Sequence, residues 1–187
     1  VMAIGRTFKE SLQKGLRGLE TGRFGFGGDG KHKPLTDAPG TSEEKDALLK
    51  AIRTPNPDRL FQLAEVLRLG ATVDEIFNIT KIDKWFLRQM VEIIEEERAL
   101  KASGPKDRDT VFHAKQLGFS DHQLGILWGK SADEVRALRK GLGVVPNYRL
   151  VDTCAAEFEA YTPYYYSSYG DEDEMRRSDK KKIVILG

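Results

Sequence analysis

Cysteine occurs once in the 187 residues and histidine three times. A single thiol excludes an internal disulfide and a zinc site built on several cysteines, and it points to a reducing, cytoplasmic setting. His32, His113 and His122 are scattered and fit no H-E-x-x-H or similar ligand spacing, so no metal site is expected. An excess of one charge is also missing. Thirty basic residues face 29 acidic ones, for a net charge of +1, which leaves no global field to draw in nucleic acid or a membrane surface. No apolar run reaches the roughly 18 residues of a membrane span, and no basic-plus-apolar leader opens the chain. Val1 is not an initiator methionine and the last residues are an apolar strand, so the chain reads as an excerpt from a longer polypeptide.

What is present is a series of helix signals. Thr7 with Glu10, Thr41 with Glu44, Thr72 with Glu75, Ser120 with Gln123 and Ser131 with Glu134 each have capping-box spacing. They predict helices over about 7–20, 41–53, 72–78 and 131–142, and a short one opening at Ser120. Asn56 before Pro57 predicts another start, with Leu60, Leu63, Ala64 and Leu67 on its core face. A longer helix is expected from about Lys81 to Ala102, with Ile82, Phe86, Met90 and Ile93 inward and 92–98 as its solvated face. Asp107 to Leu117 is a further helix. The expected fold class is all-α.

One spacing recurs. Leu69-Gly70-Ala71-Thr72-Val73-Asp74-Glu75-Ile76 aligns with Leu117-Gly118-Phe119-Ser120-Asp121-His122-Gln123-Leu124 at an offset of 48 residues. Two copies of helix, Leu-Gly stop, capped short helix and further helix predict a duplicated helical bundle, with repeat units near 57–104 and 107–144.

Gly22 to Gly40 holds six glycines and two prolines and predicts a flexible loop. Gly25-Phe26-Gly27-Gly28-Asp29-Gly30-Lys31 satisfies two phosphate-loop patterns. However, such a loop needs a strand before it and a helix directly after it. Here a helix precedes it, Pro34 follows, and His32 stands where a magnesium-binding Ser or Thr belongs. Asn78-Ile79-Thr80 fits a glycosylation pattern by chance.

Val145 to Tyr169 differs from the rest and is expected to be an extended segment. It holds Cys154, four tyrosines between Tyr164 and Tyr169, and Tyr161. Such rings bury an apolar body and keep a polar tip, so the segment either packs against this chain or a neighbouring domain, or forms a tyrosine-rich surface loop. Cys154 has acidic rather than basic neighbours, which disfavours a reactive thiolate and suggests a small buried hydrophobe. Gly170 to Lys181, acidic first and basic after, reads as a linker, and Lys182 to Gly187 as a buried-type strand. No catalytic constellation is apparent.

Val151-Asp152-Thr153-Cys154-Ala155-Ala156-Glu157-Phe158, followed by Thr162-Pro163-Tyr164-Tyr165-Tyr166-Ser167-Ser168-Tyr169, resembles the large chain of carbamoyl-phosphate synthetase, at the end of its central helical domain. Val1-Met2-Ala3-Ile4-Gly5-Arg6-Thr7 with Glu10-Ser11-Leu12-Gln13-Lys14 resembles the exit from that family's first ATP-grasp half. Lys182-Ile183-Val184-Ile185-Leu186-Gly187 resembles the first strand of the second half. The resemblance implies residues 1–22 as the end of the first half, 23–40 as a glycine-rich loop, and 41–169 as an oligomerisation or connection domain. It implies 170–181 as a linker and 182–187 as an orphan strand.

The resemblance further implies a parent ligase that makes carbamoyl phosphate from bicarbonate, two ATP and ammonia from glutamine, for arginine and pyrimidine synthesis. ATP with Mg2+ or Mn2+ belongs to the two ATP-grasp halves, and none of their binding residues falls on a matched position here. The implied partners are those halves, a glutaminase subunit or domain, and further copies of the chain; nucleic acid and membrane are not among them. Asp152, Thr153, Cys154, Glu157, Phe158, Tyr164, Tyr165 and Tyr169 become candidate interdomain contacts. Two other readings stay open. One is a free-standing helical interaction or helix-turn-helix DNA-binding domain using Lys130, Arg136, Arg139 and Lys140. The other is a phosphate-binding enzyme using 25–31.

Overall fold

A Ser or Thr hydroxyl that accepts a free N–H three residues on, while a Glu or Gln answers in return, is the commonest way this chain starts a helix. In the computed structural model, which describes residues 1–31, 40–155, 157–159, 164–176, 178–181 and 183, four such reciprocal boxes form. Thr41 and Glu44 open α2 (Ser42–Ala51), and Thr72 and Glu75 open α4 (Val73–Thr80). Ser120 and Gln123 open α7 (Asp121–Trp128), and Ser131 and Glu134 open α8 (Ala132–Gly141). At α1 (Phe8–Gly18) only half a box is made. Thr7 accepts from the Glu10 N–H, but the Glu10 carboxylate takes the Arg6 N–H instead, at 2.6 Å.

The other helices start differently. α3 (Arg59–Arg68) begins later than Asn56-Pro57 predicts, because the Asn56 amide oxygen accepts the Asp58 N–H at 2.9 Å and turns the chain first. α5 (Lys84–Ser103) is capped by Asp83 and α6 (Arg108–Gln116) by Asp107.

The chain divides into two units, Val1–Val145 and Pro146–Gly187. The first holds all eight helices found among the described residues, as the expected helical class requires. α5 lies at its centre and packs against α1, α3, α4, α6 and α7. Its buried stripe is Leu87, Met90, Ile93, Ile94, Glu97 and Leu100. Of the expected inward residues Met90 and Ile93 are buried, but Phe86 is 41% exposed, and Glu97, expected in solvent, is buried. The reason is Arg68, whose guanidinium grips the Glu97 carboxylate at 2.7 and 2.6 Å. A carboxylate so paired can lie on an inward face.

The duplication is exact in register. α4 and α7 span 73–80 and 121–128, their caps Thr72 and Ser120 and their left-handed ends Lys81 and Gly129 all fall 48 apart, and so do the next caps, Asp83 and Ser131. Both preceding helices end in the same pair of bonds: Gly70 N–H to Leu67 C=O with Ala71 N–H to Val66 C=O, and Gly118 N–H to Lys115 C=O with Phe119 N–H to Ala114 C=O. These are Schellman ends, with glycine at the left-handed position (φ +82° and +90°). The copies differ inside. The second holds a buried charge cluster in which Asp121 accepts from Lys115 (2.8 Å) and Arg139 (2.9 Å).

The glycine-rich stretch is irregular, as expected, but 23–31 is packed rather than flexible. Phe26 is fully buried, and Arg23 pairs with buried Asp29 at 2.6 Å. The Phe26 N–H donates to Gln13, while Gln123 donates to Gln13 and to the Gly27 carbonyl, both at 3.0 Å. Side chains from α1 and α7 thus satisfy backbone groups that water would otherwise have to meet. His32 and 33–39 lie outside the described residues.

The second unit contains a two-stranded antiparallel sheet, β1 (Asn147–Leu150) and β2 (Tyr165–Ser168), pairing Asn147 with Ser168 and Leu150 with Tyr165. The extended reading of the tyrosine run is realised there. Of the strand expected over 182–187, only Ile183 lies among the described residues, and it is 81% exposed.

Candidate interdomain interface

In β1 the odd positions turn their peptide groups toward β2, and the ladder continues when the Val151 N–H donates to the Tyr164 carbonyl at 2.8 Å. That bond brings the two ends of the β1–β2 connection together. Asp152, Thr153, Cys154, Glu157 and Phe158 all lie on this connection, with Tyr164 and Tyr165 closing it. The Asp152 carboxylate accepts the Cys154 N–H at 2.9 Å, and the Cys154 carbonyl accepts the Glu157 N–H at 2.9 Å. Between them Ala155 takes a left-handed conformation (φ +50°).

Seven of the eight candidate contacts therefore share one end of the sheet. Tyr169 is half-buried beyond the far end of β2 and does not join them. Phe158, an apolar ring, is 75% exposed, and Tyr164, a phenol, 64%. Cys154 is half-buried rather than buried, 3.8 Å from the Thr153 hydroxyl. Ala156 and 160–163 lie outside the described residues.

The helical unit carries an aromatic patch that the periodicity missed. Phe8 meets Trp85 edge-on at 5.4 Å and Phe86 at 5.2 Å, while Trp85 and Phe86 are 5.0 Å apart. Trp85 is 51% exposed. The signal was available: consecutive helical residues point about 100° apart, so Trp85, Phe86 and Leu87 cannot all face one core.

The competing readings lose their footing in the geometry. Over the glycines of 25–30 the space is filled by Gln123 at Gly25, by Arg68 at Gly27 and by Glu97 at Gly28, so no cradle is open to a phosphate. Among the described residues no group of three metal-ligating side chains occurs. Neither this loop nor an acidic cluster among the described residues is built to hold ATP with a divalent metal. Arg139, counted as an outward cation of a recognition helix, is buried against Asp121 and donates to the Val144 carbonyl at 3.2 Å. At the start of the same helix, backbone and hydroxyl bonds from Ser131 hold the Glu134 carboxyl below the usual range, which keeps negative charge where DNA would approach. No helix among the described residues is long and apolar enough to cross a membrane.

A sequence profile described as carbamoyl-phosphate synthetase large chain, oligomerisation domain, matches residues 1–143. The chain belongs to this family. It is 52% identical over its full length to the carbamoyl phosphate synthase large chain of Thermus thermophilus, 50% to that of Synechocystis sp. and 45% to that of Archaeoglobus fulgidus. In each case it spans 17% of the relative's length. The carbamoyl-phosphate synthetase profile ends two residues before the boundary at Val145. The similarity to the full-length relatives continues through the tyrosine-rich segment.

Proposed function

We propose that the chain is the non-catalytic spacer and oligomerisation module of the large subunit of glutamine-dependent carbamoyl-phosphate synthase. The match to the oligomerisation-domain profile over a helical core centred on α5 carries this reading. The parent enzyme makes carbamoyl phosphate from bicarbonate, ammonia released from glutamine, and two ATP, in the cytoplasm, for arginine and pyrimidine synthesis. ATP with Mg2+ or Mn2+ binds in ATP-grasp halves on either side, a glutaminase subunit or domain supplies ammonia, and the module assembles copies of the chain.

In this account residues 1–22 leave the first half, 23–40 form the glycine-rich loop, 41–169 are the connecting domain, 170–181 link onward and 182–187 enter the second half. Asp152, Thr153, Cys154, Glu157, Phe158, Tyr164, Tyr165 and Tyr169 contact the adjoining halves. The exposure of Phe158 and Tyr164 supports this, because large rings that bury on docking dominate interface energies. In the complete enzyme, a Phe158→Ala/Tyr164→Ala double variant is expected to retain ATP hydrolysis while forming several-fold less carbamoyl phosphate per ATP consumed. An unchanged yield per ATP removes these two rings from the interface.

A further inference from the structure

The outer edge of β1 is occupied. Because Asn147, Arg149 and Val151 face β2, the peptide groups of Tyr148 and Leu150 point the other way, where a third strand would add. The acidic stretch 171–174 meets them there. The Tyr148 N–H donates to the Asp173 carboxylate at 3.2 Å, the Leu150 N–H to the Glu174 carboxylate at 2.7 Å, and the Glu174 N–H to the Tyr148 carbonyl at 2.8 Å. Asp173 also accepts the Met175 N–H at 3.2 Å. The side chain of Arg149, only 13% exposed, reaches Glu172 at 2.9 Å and Glu174 at 3.6 Å. At the near end, the Asn147 amide donates to the Gly170 carbonyl at 2.7 Å.

We propose that 171–174 is an edge cap: a carboxylate strap that takes up the hydrogen-bonding positions of β1 and keeps this edge from pairing with a second copy of the chain. Only one of its three edge contacts is a backbone pair. The other two end in carboxylates, which accept but cannot pass a ladder onward, so the sheet stops there. Charged groups on an edge are a general device against strand addition. The device is needed here because Tyr148 and Tyr165 are diagonal neighbours on one face of the sheet, 41% and 38% exposed, and an aromatic face beside an open edge is a template for a matching strand. The strap also means that the chain leaves this sheet near Met175 rather than at Gly170, so the acidic half of the expected linker is part of the folded unit.

The test uses the full 187-residue chain and an Asp173→Ala/Glu174→Ala variant, whose altered side chains are exposed. Amide exchange followed by NMR reads the cap residue by residue. In the wild type the Tyr148 and Leu150 amides are protected. In the variant both exchange about tenfold faster or more, as loss of a hydrogen bond to a charged acceptor implies, while Arg149 and Val151 change less. Sedimentation at matched concentrations then gives a higher mean mass for the variant than for the wild type. Unprotected Tyr148 and Leu150 amides in the wild type, or amides the variant leaves unchanged, overturn the cap. Equal masses at every concentration overturn its guarding role. An Arg149→Ala variant, which leaves both carboxylates in place, is expected to move the same two amides in the same direction by a smaller factor.

Discussion

Glu97 is 3% exposed in the middle of α5, and Arg68, which holds it, also lies 3.5 Å from the Phe26 carbonyl. Removing one member of a buried pair strands the other charge, so Glu97→Ala is expected to destabilise the helical unit by about 3 kcal/mol in urea unfolding. Helical spacing from Met90 and Ile93 puts Glu97, rather than Glu95 or Glu96, on the inward face; the partner that makes it tolerable there is 29 residues away and is reached only through the fold. Lys115 presents a second buried charge. Burial pushes its ammonium down to about 8, against the opposing pull of Asp121. Its folded pKa lies below its ordinary 10.5, so between pH 8 and 10.5 the unfolded chain binds more protons than the native one, and stability rises with pH across that window. The contribution is fully present above 10.5 and is lost as pH falls through about 8. Relative to the wild type, Lys115→Met is expected to flatten the rise in urea midpoint over this range.

Gly70 and Gly118 end α3 and α6 with the same left-handed turn, yet their surroundings differ. A Cβ at Gly70 would meet nothing within 4 Å, whereas one at Gly118 would lie 2.9 Å from the Glu10 Cα in α1. Gly70→Ala therefore costs only the conformational strain, about 1 kcal/mol. Gly118→Ala is expected to cost clearly more and to loosen α1, read as a lower melting temperature and faster amide exchange in 8–18. Helix starts were the most legible elements, because Thr41, Thr72, Ser120 and Ser131 carry their own local capping chemistry, and the 48-residue register followed from them. The start of α3 was not legible: Asn56 serves equally well as a cap or as a turn former, and in the structure it turns the chain by accepting the Asp58 N–H.

At the scale of the molecule, the helical class and the duplication could be read from patterning. The packing of 23–31 could not, because Gln13 and Gln123, which hold it, are 110 residues apart. The candidate interface was legible as a segment but not as a shape: seven residues gather at one end of the sheet and Tyr169 does not. The Trp85–Phe86 patch on the helical unit adds exposed aromatic area of the kind that association buries. The proposed role of this chain is that of an assembly module. It is tested most directly by the solution mass of the 187-residue chain, measured by light scattering across a concentration series. The mass is expected to rise with concentration toward a dimer or larger species. A monomer at every concentration would contradict it.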